Sequence, residues 1–252
     1  MKPLFYGLLL SSSIFSQSSI QLADSLYALR AIGSKKNVAK PFYIEEAIKN
    51  YSKSYNEKNS IESVVGLLKS QFYYGKYVVI DEDKKRKIFD EAVKFGRKNI
   101  TKHPQSAAIR YWYLVNLGSW AEVFGIIAAA REGFADIMKS QSEKIIDLDS
   151  LYSDGGGYFM LGVVHLRAPY VPFVIAWPDK ILAEELLERA RSTGKETLVQ
   201  KLYHAKSLYK NNKKEKAVML LTEVSVSPPS KDNLVEDWEQ ILEAQDLLIK
   251  LK

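Results

Sequence analysis

The side chains able to do chemistry are few, and their spacing says little for catalysis. There are three histidines, His103, His165 and His204, and no cysteine. No two histidines stand at the separation that puts both on one helix face, as in H-E-x-x-H, so a zinc site is not expected. Without cysteine, neither disulfides, thiolate nucleophiles nor a lipidated N-terminal anchor are expected. Asp147, Asp149 and Asp154 precede Gly155, Gly156 and Gly157, which suggests a calcium loop. Leu151 occupies the third expected ligand position, however, and Tyr158 stands where a bidentate Glu belongs. Asp154 is better read as the cap of a helix that begins among the glycines. Those glycines could cradle an anion at a helix N-terminus, but the Lys-Ser/Thr of a P-loop is missing. No G-x-S-x-G is present. The pairs Glu45/Glu46 and Glu184/Glu185 lie on helix faces that read as solvated. The expectation is a protein that is not an enzyme and needs no cofactor.

A second set of residues is suited to binding. Arg110-Tyr111-Trp112-Tyr113 opens a stretch that is apolar nearly all round through Trp120 and Phe124, and Tyr158 to Leu166 is similar. An insertion from Ala168 to Pro178 follows, with almost no polar side chain. Helices apolar on every side belong in interiors, so one reading is a buried pair under a folded-over insertion. In that reading His165 is a hydrogen-bonded core histidine. A second reading lines an apolar cavity with Tyr111, Trp112, Tyr158, Tyr170, Phe173 and Trp177. Arg110 or Arg167 would then fix the carboxylate of a small ligand. A third makes Tyr170 to Trp177 an exposed patch for a protein partner. The candidate ligand- or partner-binding residues are thus Arg110, Tyr111, Trp112, Tyr158, His165, Arg167, Tyr170, Phe173 and Trp177.

The elements that carry these residues read as helices throughout, apart from a short strand-like run at Tyr77 to Ile80. Leu182, Ala183, Leu186, Leu187 and Ala190 share one face of a helix over Asp179 to Arg191, with Glu184, Glu185, Glu188 and Arg189 outward. A last helix spans Asn233 to Leu251, its start marked by Asn233 and Glu236 in a capping arrangement. Pro and Gly punctuation at Pro41, Pro104, Gly155 to Gly157, Pro178 and Pro228-Pro229 leaves room for one or two helices per interval. Lys and Glu alternate along these helices. The excess of 36 basic over 30 acidic residues is therefore spread over solvated faces, unlike the concentrated charge of a nucleic-acid reader.

Small residues recur where one helix of a hairpin would cross the next. Ala217 is followed four residues on by Leu221 and twelve on by Pro229, and Ala205 lies twelve before it. Ala92 precedes Pro104 by twelve, Ala47 has Tyr51 four later, and Tyr158, Leu161, Gly162 and His165 follow the front half of W-x-x-L-G-x-x-Y. This pattern resembles tetratricopeptide repeats (TPRs). It predicts an all-α solenoid of about three to four degenerate TPR-like hairpins with a C-terminal capping helix. Leu4 to Phe15 is an uncharged apolar and Ser-rich run after Lys2. It is shorter than the roughly 20 residues that a lasting span needs and reads as a secretory signal peptide over residues 1–18. Residues 19–252 then form the repeat domain, without a stable membrane anchor after cleavage, in a periplasm or outside the cell.

Within that domain Ala107 to Val123, Asp154 to Tyr158, Arg167-Ala168-Pro169 and the turn Asn211 to Ala217 resemble the exported TPR proteins related to the T component of TRAP transporters. The resemblance implies an adaptor that associates with a periplasmic solute-binding protein and holds a small organic ligand in a helical pore. A general TPR scaffold for protein-protein interaction, without a small-molecule site, is the alternative.

Overall fold

Helix starts along the chain are set by short polar side chains and by proline. In the computed structural model, which describes residues 18–170 and 175–251, Ser18 and Gln21 form a reciprocal capping box at the start of α1 (Ser19–Ala28). Pro41 opens α2 (Pro41–Glu57), where its missing N–H costs nothing. The hydroxyl of Ser60 accepts from Ser63 N ahead of α3 (Ile61–Tyr77), Asp81 caps α4 (Glu82–Lys102), and Ser106 caps α5 (Ala107–Phe124). Gly125 and Gly133, at φ +96° and +69°, break the chain on either side of the short α6 (Ile126–Arg131). Then come α7 (Phe134–Leu148), α8 (Tyr152–Arg167) and α9 (Lys180–Arg191). Asp179 caps α9 by accepting from Ile181 N and Leu182 N at 2.8 and 3.1 Å. A Thr197–Gln200 capping box begins α10 (Leu198–Lys210), followed by α11 (Lys214–Val226) and α12 (Leu234–Leu251).

Three local expectations change. Tyr77 to Ile80 forms no strand: α3 runs through Tyr77, whose carbonyl accepts from Ala39 N at 2.9 Å. Asn233 and Glu236 make no capping box, because the Glu236 carboxylate is drawn away to Arg30. The turn before α12 is closed by Asp237, which accepts from Ser230 N at 2.8 Å. Asp154 does not cap α8. It lies inside the element, in a left-handed turn over Ser153, Asp154 and Gly155, and its Oδ1 accepts from Lys195 N at 2.9 Å. Of the segment 1–18 expected to be a signal peptide, residues 1–17 lie outside the described residues, and Ser18 is the cap of α1.

The helices pack in pairs, α1/α2, α3/α4, α5/α7, α8/α9 and α10/α11, with α12 closing the series against α11 and α10. Tight crossings use holes as well as small knobs. Ala47, Ala92, Ala205 and Ala217 are fully buried, as the repeat pattern requires. The Tyr51 ring fills the space above Gly66, where a Cβ would stand 2.3 Å from it. Helix α8 is buried from Gly155 to Leu166 and forms the axis of the largest core.

Helices α1, α3, α5, α8, α10 and α12 touch one another in sequence, while the alternate helices scarcely do. A row whose members meet lies on the inside of a curved solenoid. The curve is tight enough that α12 reaches the beginning of the chain. Val235 joins Ala39, Ile44, Tyr73 and Tyr77 in one apolar cluster, and Arg30 donates to Glu236 at 2.9 Å and to the Asp232 carbonyl. The molecule is an all-α solenoid bent round on itself.

Candidate functional site

Charged side chains gather on the inner row, brought there by five helices, α3, α5, α8, α10 and α12. Lys76, in the last turn of α3, lies 2.7 Å from Glu122 of α5 and 3.2 Å from Glu239 of α12. Glu122 also accepts from Arg167 at the end of α8, at 2.9 Å. Arg167 Nη1 lies 3.4 Å from the Tyr203 hydroxyl of α10, Tyr77 donates to Glu239 at 2.8 Å, and Lys206 pairs with Glu243 at 2.6 Å. Lysine and arginine at helix C-termini also answer the negative ends of α3 and α8.

Burial works against each charge, and the neighbours decide the outcome. For Lys76, burial is outweighed by Glu122 and Glu239, so the ammonium is held above its ordinary range. Glu122 loses solvation too, but Lys76 and Arg167 bring its carboxyl below the usual value. Arg167 is likewise raised against burial by Tyr203 and Glu122. The Tyr203 hydroxyl is pushed up to about 12, first by burial. None of these groups is poised near neutrality for proton transfer. Lys76, Glu122 and Arg167 form a fixed array of charge beside the neutral Tyr203 phenol.

Two cavities meet at the Glu122–Arg167 pair. One, of about 490 Å³, is open and lined by charged side chains and tyrosines: Glu122, Arg167, Tyr203, Lys206, Tyr209 and Lys210, among others. Three cations and two carboxylates line it: Arg167 is paired with Glu122, Lys206 with Glu243, and Lys210 donates to the Leu166 carbonyl at 2.6 Å. The other, of about 220 Å³, is apolar and runs between α5, α6, α7 and α8. Gly118, Ala121, Ala129, Phe134, Met138 and Val163 form much of its wall. The Arg167 side chain is 45% exposed at the shared rim.

The residues singled out in the sequence are not brought together in one place. Arg167 lines both cavities. Arg110 is buried at the far end of α5, where it donates to the Pro104 carbonyl at 2.6 Å and to Gln141. Twelve residues separate it from Glu122, about 18 Å by helical rise, so Arg110 and Arg167 cannot grip one carboxylate. Tyr111 packs over Gly156 and edge-on to Trp112 and Tyr152, and Trp112 meets Phe72. Tyr158 is buried with Arg189 over its ring. His165 Nδ1 accepts from Asp179 N at 3.1 Å, and the imidazole meets Trp177 edge-on at 5.0 Å. Trp177 also donates to Asp136 at 2.7 Å, which ties the insertion back onto α7. Tyr170 is 66% exposed and Ile175 is buried, so the insertion is partly packed down. Phe173 lies outside the described residues.

Lys76, Glu122, Tyr203 and Glu239 were not singled out from the sequence. Glu122 had a readable signal, being the lone carboxylate in α5. The others sit on ordinary amphipathic helices, and only the curvature makes them neighbours. Among the described residues no group of three or more His, Asp or Glu is arranged to hold a metal, and no helix is long and apolar enough to cross a membrane.

Among similar solved structures is the crystal structure of a thermophilic TPR protein from Thermus thermophilus, with a TM-score of 0.58 and 13% sequence identity. The match covers 93% of this chain and 97% of that one. At that identity the likeness is one of fold, and the fold is a TPR-like α-solenoid. No protein-family model and no curated protein matches the chain.

Proposed function

We propose that the protein is a non-catalytic binding scaffold whose inner face docks a protein partner at the Arg167 cavity. The observation that carries this reading is the open cavity of about 490 Å³ in which Arg167, Lys206 and Lys210 outnumber Glu122 and Glu243. Such a cavity suits an acidic group on the partner. Tyr203 and Tyr209 supply flat amphipathic walls of the kind that concentrate binding energy, and Tyr209 is 47% exposed. A catalytic role has less support, because Glu122 and Arg167 are held in their charged forms instead of poised to exchange protons.

The proposal extends to location and to the class of partner. Residues 1–18 serve as a secretory leader, and the mature chain works in a periplasm or outside the cell. The resemblance to TRAP-associated proteins points to a periplasmic solute-binding protein as partner. A general scaffold of the cell envelope is the competing version. A photo-crosslinking residue at position 209 in intact cells tests the docking face. The expected result is one dominant protein adduct that disappears when Arg167, Lys206 and Lys210 are changed together to Glu. Adducts indifferent to that change would overturn the docking site. A solute-binding protein in the adduct supports the uptake version, and any other protein class removes it. Fractionation and N-terminal sequencing test export, with a mature end between Gln17 and Ser19 as the expected outcome.

A further inference from the structure

Helical glycines in this chain are filled from outside. A Cβ on Gly66, Gly75, Gly96, Gly156, Gly157 or Gly162 would stand between 2.3 and 2.8 Å from a neighbouring side chain. Gly118 is the exception within an unbroken helix. It lies in the middle of α5, and a Cβ there would meet nothing within 4 Å. Glycine inside a helix is less favourable than alanine, and here no packing neighbour accounts for it. The space it leaves belongs to the apolar cavity, and so does the open space beside Gly125.

We propose that this cavity is a binding site for a small monocarboxylic acid with a compact aromatic or branched tail. The walls contributed by Ala121, Ala129, Phe134, Met138 and Val163 offer a tail no polar partner. Their volume sets its size: an apolar cavity of roughly 150 Å³ takes up benzene, so about 220 Å³ admits a ring with a short substituent and excludes a long acyl chain. The head is set by the rim. Arg167 meets Glu122 and Tyr203 through Nη1 alone, and Lys76 shares the Glu122 charge, which leaves Nη2 of the half-exposed guanidinium to donate to a ligand carboxylate. The planar guanidinium matches a carboxylate in shape as well as sign. The adjoining open cavity adds Lys210, whose ammonium donates to the Leu166 carbonyl at 2.6 Å, and Lys206, which is paired with Glu243.

This inference goes beyond partner docking and does not depend on it. Phenylacetate and isocaproate are titrated into the full chain by calorimetry, with benzylamine and palmitate as controls. Phenylacetate should bind saturably and shift the methyl resonances of Met138 and Val163, while both controls fail. Gly118→Leu, which fills the cavity from an open position, should melt no lower than the wild type and bind phenylacetate at least tenfold more weakly. Arg167→Gln should weaken it at least tenfold as well. Undiminished binding to either variant, equal binding of benzylamine, methyl shifts confined to other regions or no saturation at millimolar concentration would overturn the site. Crosslinking from position 209 in Gly118→Leu reads the partner separately, so loss of the acid site and loss of the docking face are distinguishable.

Discussion

Lys76 shows how one side chain organises the inner face. It holds apart two carboxylates, from α5 and α12, that would otherwise face each other with little water. Lys76→Met should therefore destabilise the chain by about 1–3 kcal/mol at neutral pH, allowing for partial solvent screening. Burial acts to raise the Glu122 carboxyl, but Lys76 and Arg167 together hold it below its ordinary range. The part of this stability that it carries is present above the unfolded carboxyl value and lost as pH falls through the folded one. The gap between wild type and Lys76→Met should accordingly shrink in urea melts below about pH 4. A gap that widened in acid would contradict the assignment. The two buried histidines act in a different window. Burial, with Lys139 beside His165 and Arg191 beside His204, pushes both imidazoles below the ordinary value. The unfolded chain then binds protons that the folded chain refuses, so stability falls as pH drops from about 6.5. Glu236, raised by burial, works in the opposite direction at lower pH. Comparison with a His165→Gln, His204→Gln double variant cancels that contribution. The wild-type urea midpoint should fall faster than the variant's between about pH 7 and pH 5, and parallel curves would remove the argument.

Helix α8 shows what a linear pattern can and cannot reveal about an element. Its apolar face all round was readable as burial, and burial is what Gly155 to Leu166 has. Helix α9 was readable in part: Ala183, Leu187 and Ala190 are buried and Asp179 starts it, but Leu182 is exposed and Glu184, read as outward, is drawn in to Lys213 and Asn211 of the following turn. The α8 N-terminus was not readable, because its geometry is imposed from a distant loop. Ser153, Asp154 and Gly155 take φ values of +52°, +54° and +84°, a left-handed turn that L-residues resist. It persists because Lys195 N donates to Asp154 Oδ1 at 2.9 Å and Gln200 Nε2 donates to the Asp154 carbonyl at 2.7 Å. The motif that looked like a cap or an ion loop is thus a tie between α8 and the α9–α10 turn. Gly155→Ala meets both the positive φ and Thr193, whose Cβ would be 2.8 Å away. It should cost about 2–4 kcal/mol. Asp154→Ala loses the side-chain bond to Lys195 N and the tolerance of Asp for positive φ, keeps the carbonyl bond to Gln200, and should cost about 1–2 kcal/mol. Thermal melts that rank the two in the reverse order would show that the strain lies elsewhere. Caps and small crossing residues can be found from a window of a dozen positions. Charge clusters assembled from α3, α5, α8, α10 and α12 cannot, because no window contains them.

A solenoid ordinarily couples each repeat only to its neighbours, and this one breaks that rule by closing on itself. Arg30 of the α1 region and Glu236 of α12 are 206 positions apart in sequence and 2.9 Å apart in space. Val235 packs among Ala39, Ile44, Tyr73 and Tyr77, and Tyr77 and Lys76 both hold Glu239. Helix α12 is therefore more than the cap that the repeat pattern predicts, since its first turns also serve as core for the opening hairpins. The consequence is a length-independent coupling. Removal of residues 232–252 should expose Tyr73 and Tyr77 and leave Arg30 without its carboxylate. Protection of backbone amides should then fall in α1 and α3, and by as much as it falls in α10 and α11, which lose their nearest neighbour. A milder break, Arg30→Met with Glu236→Gln, should raise exchange in α1 and the first two turns of α12 while α8 and α9 stay unchanged. An open superhelix would answer differently, with losses confined to α10 and α11 after the truncation and no response at α1. Hydrogen exchange across the whole chain separates the two, because closure is the only route by which the last helix can reach the first.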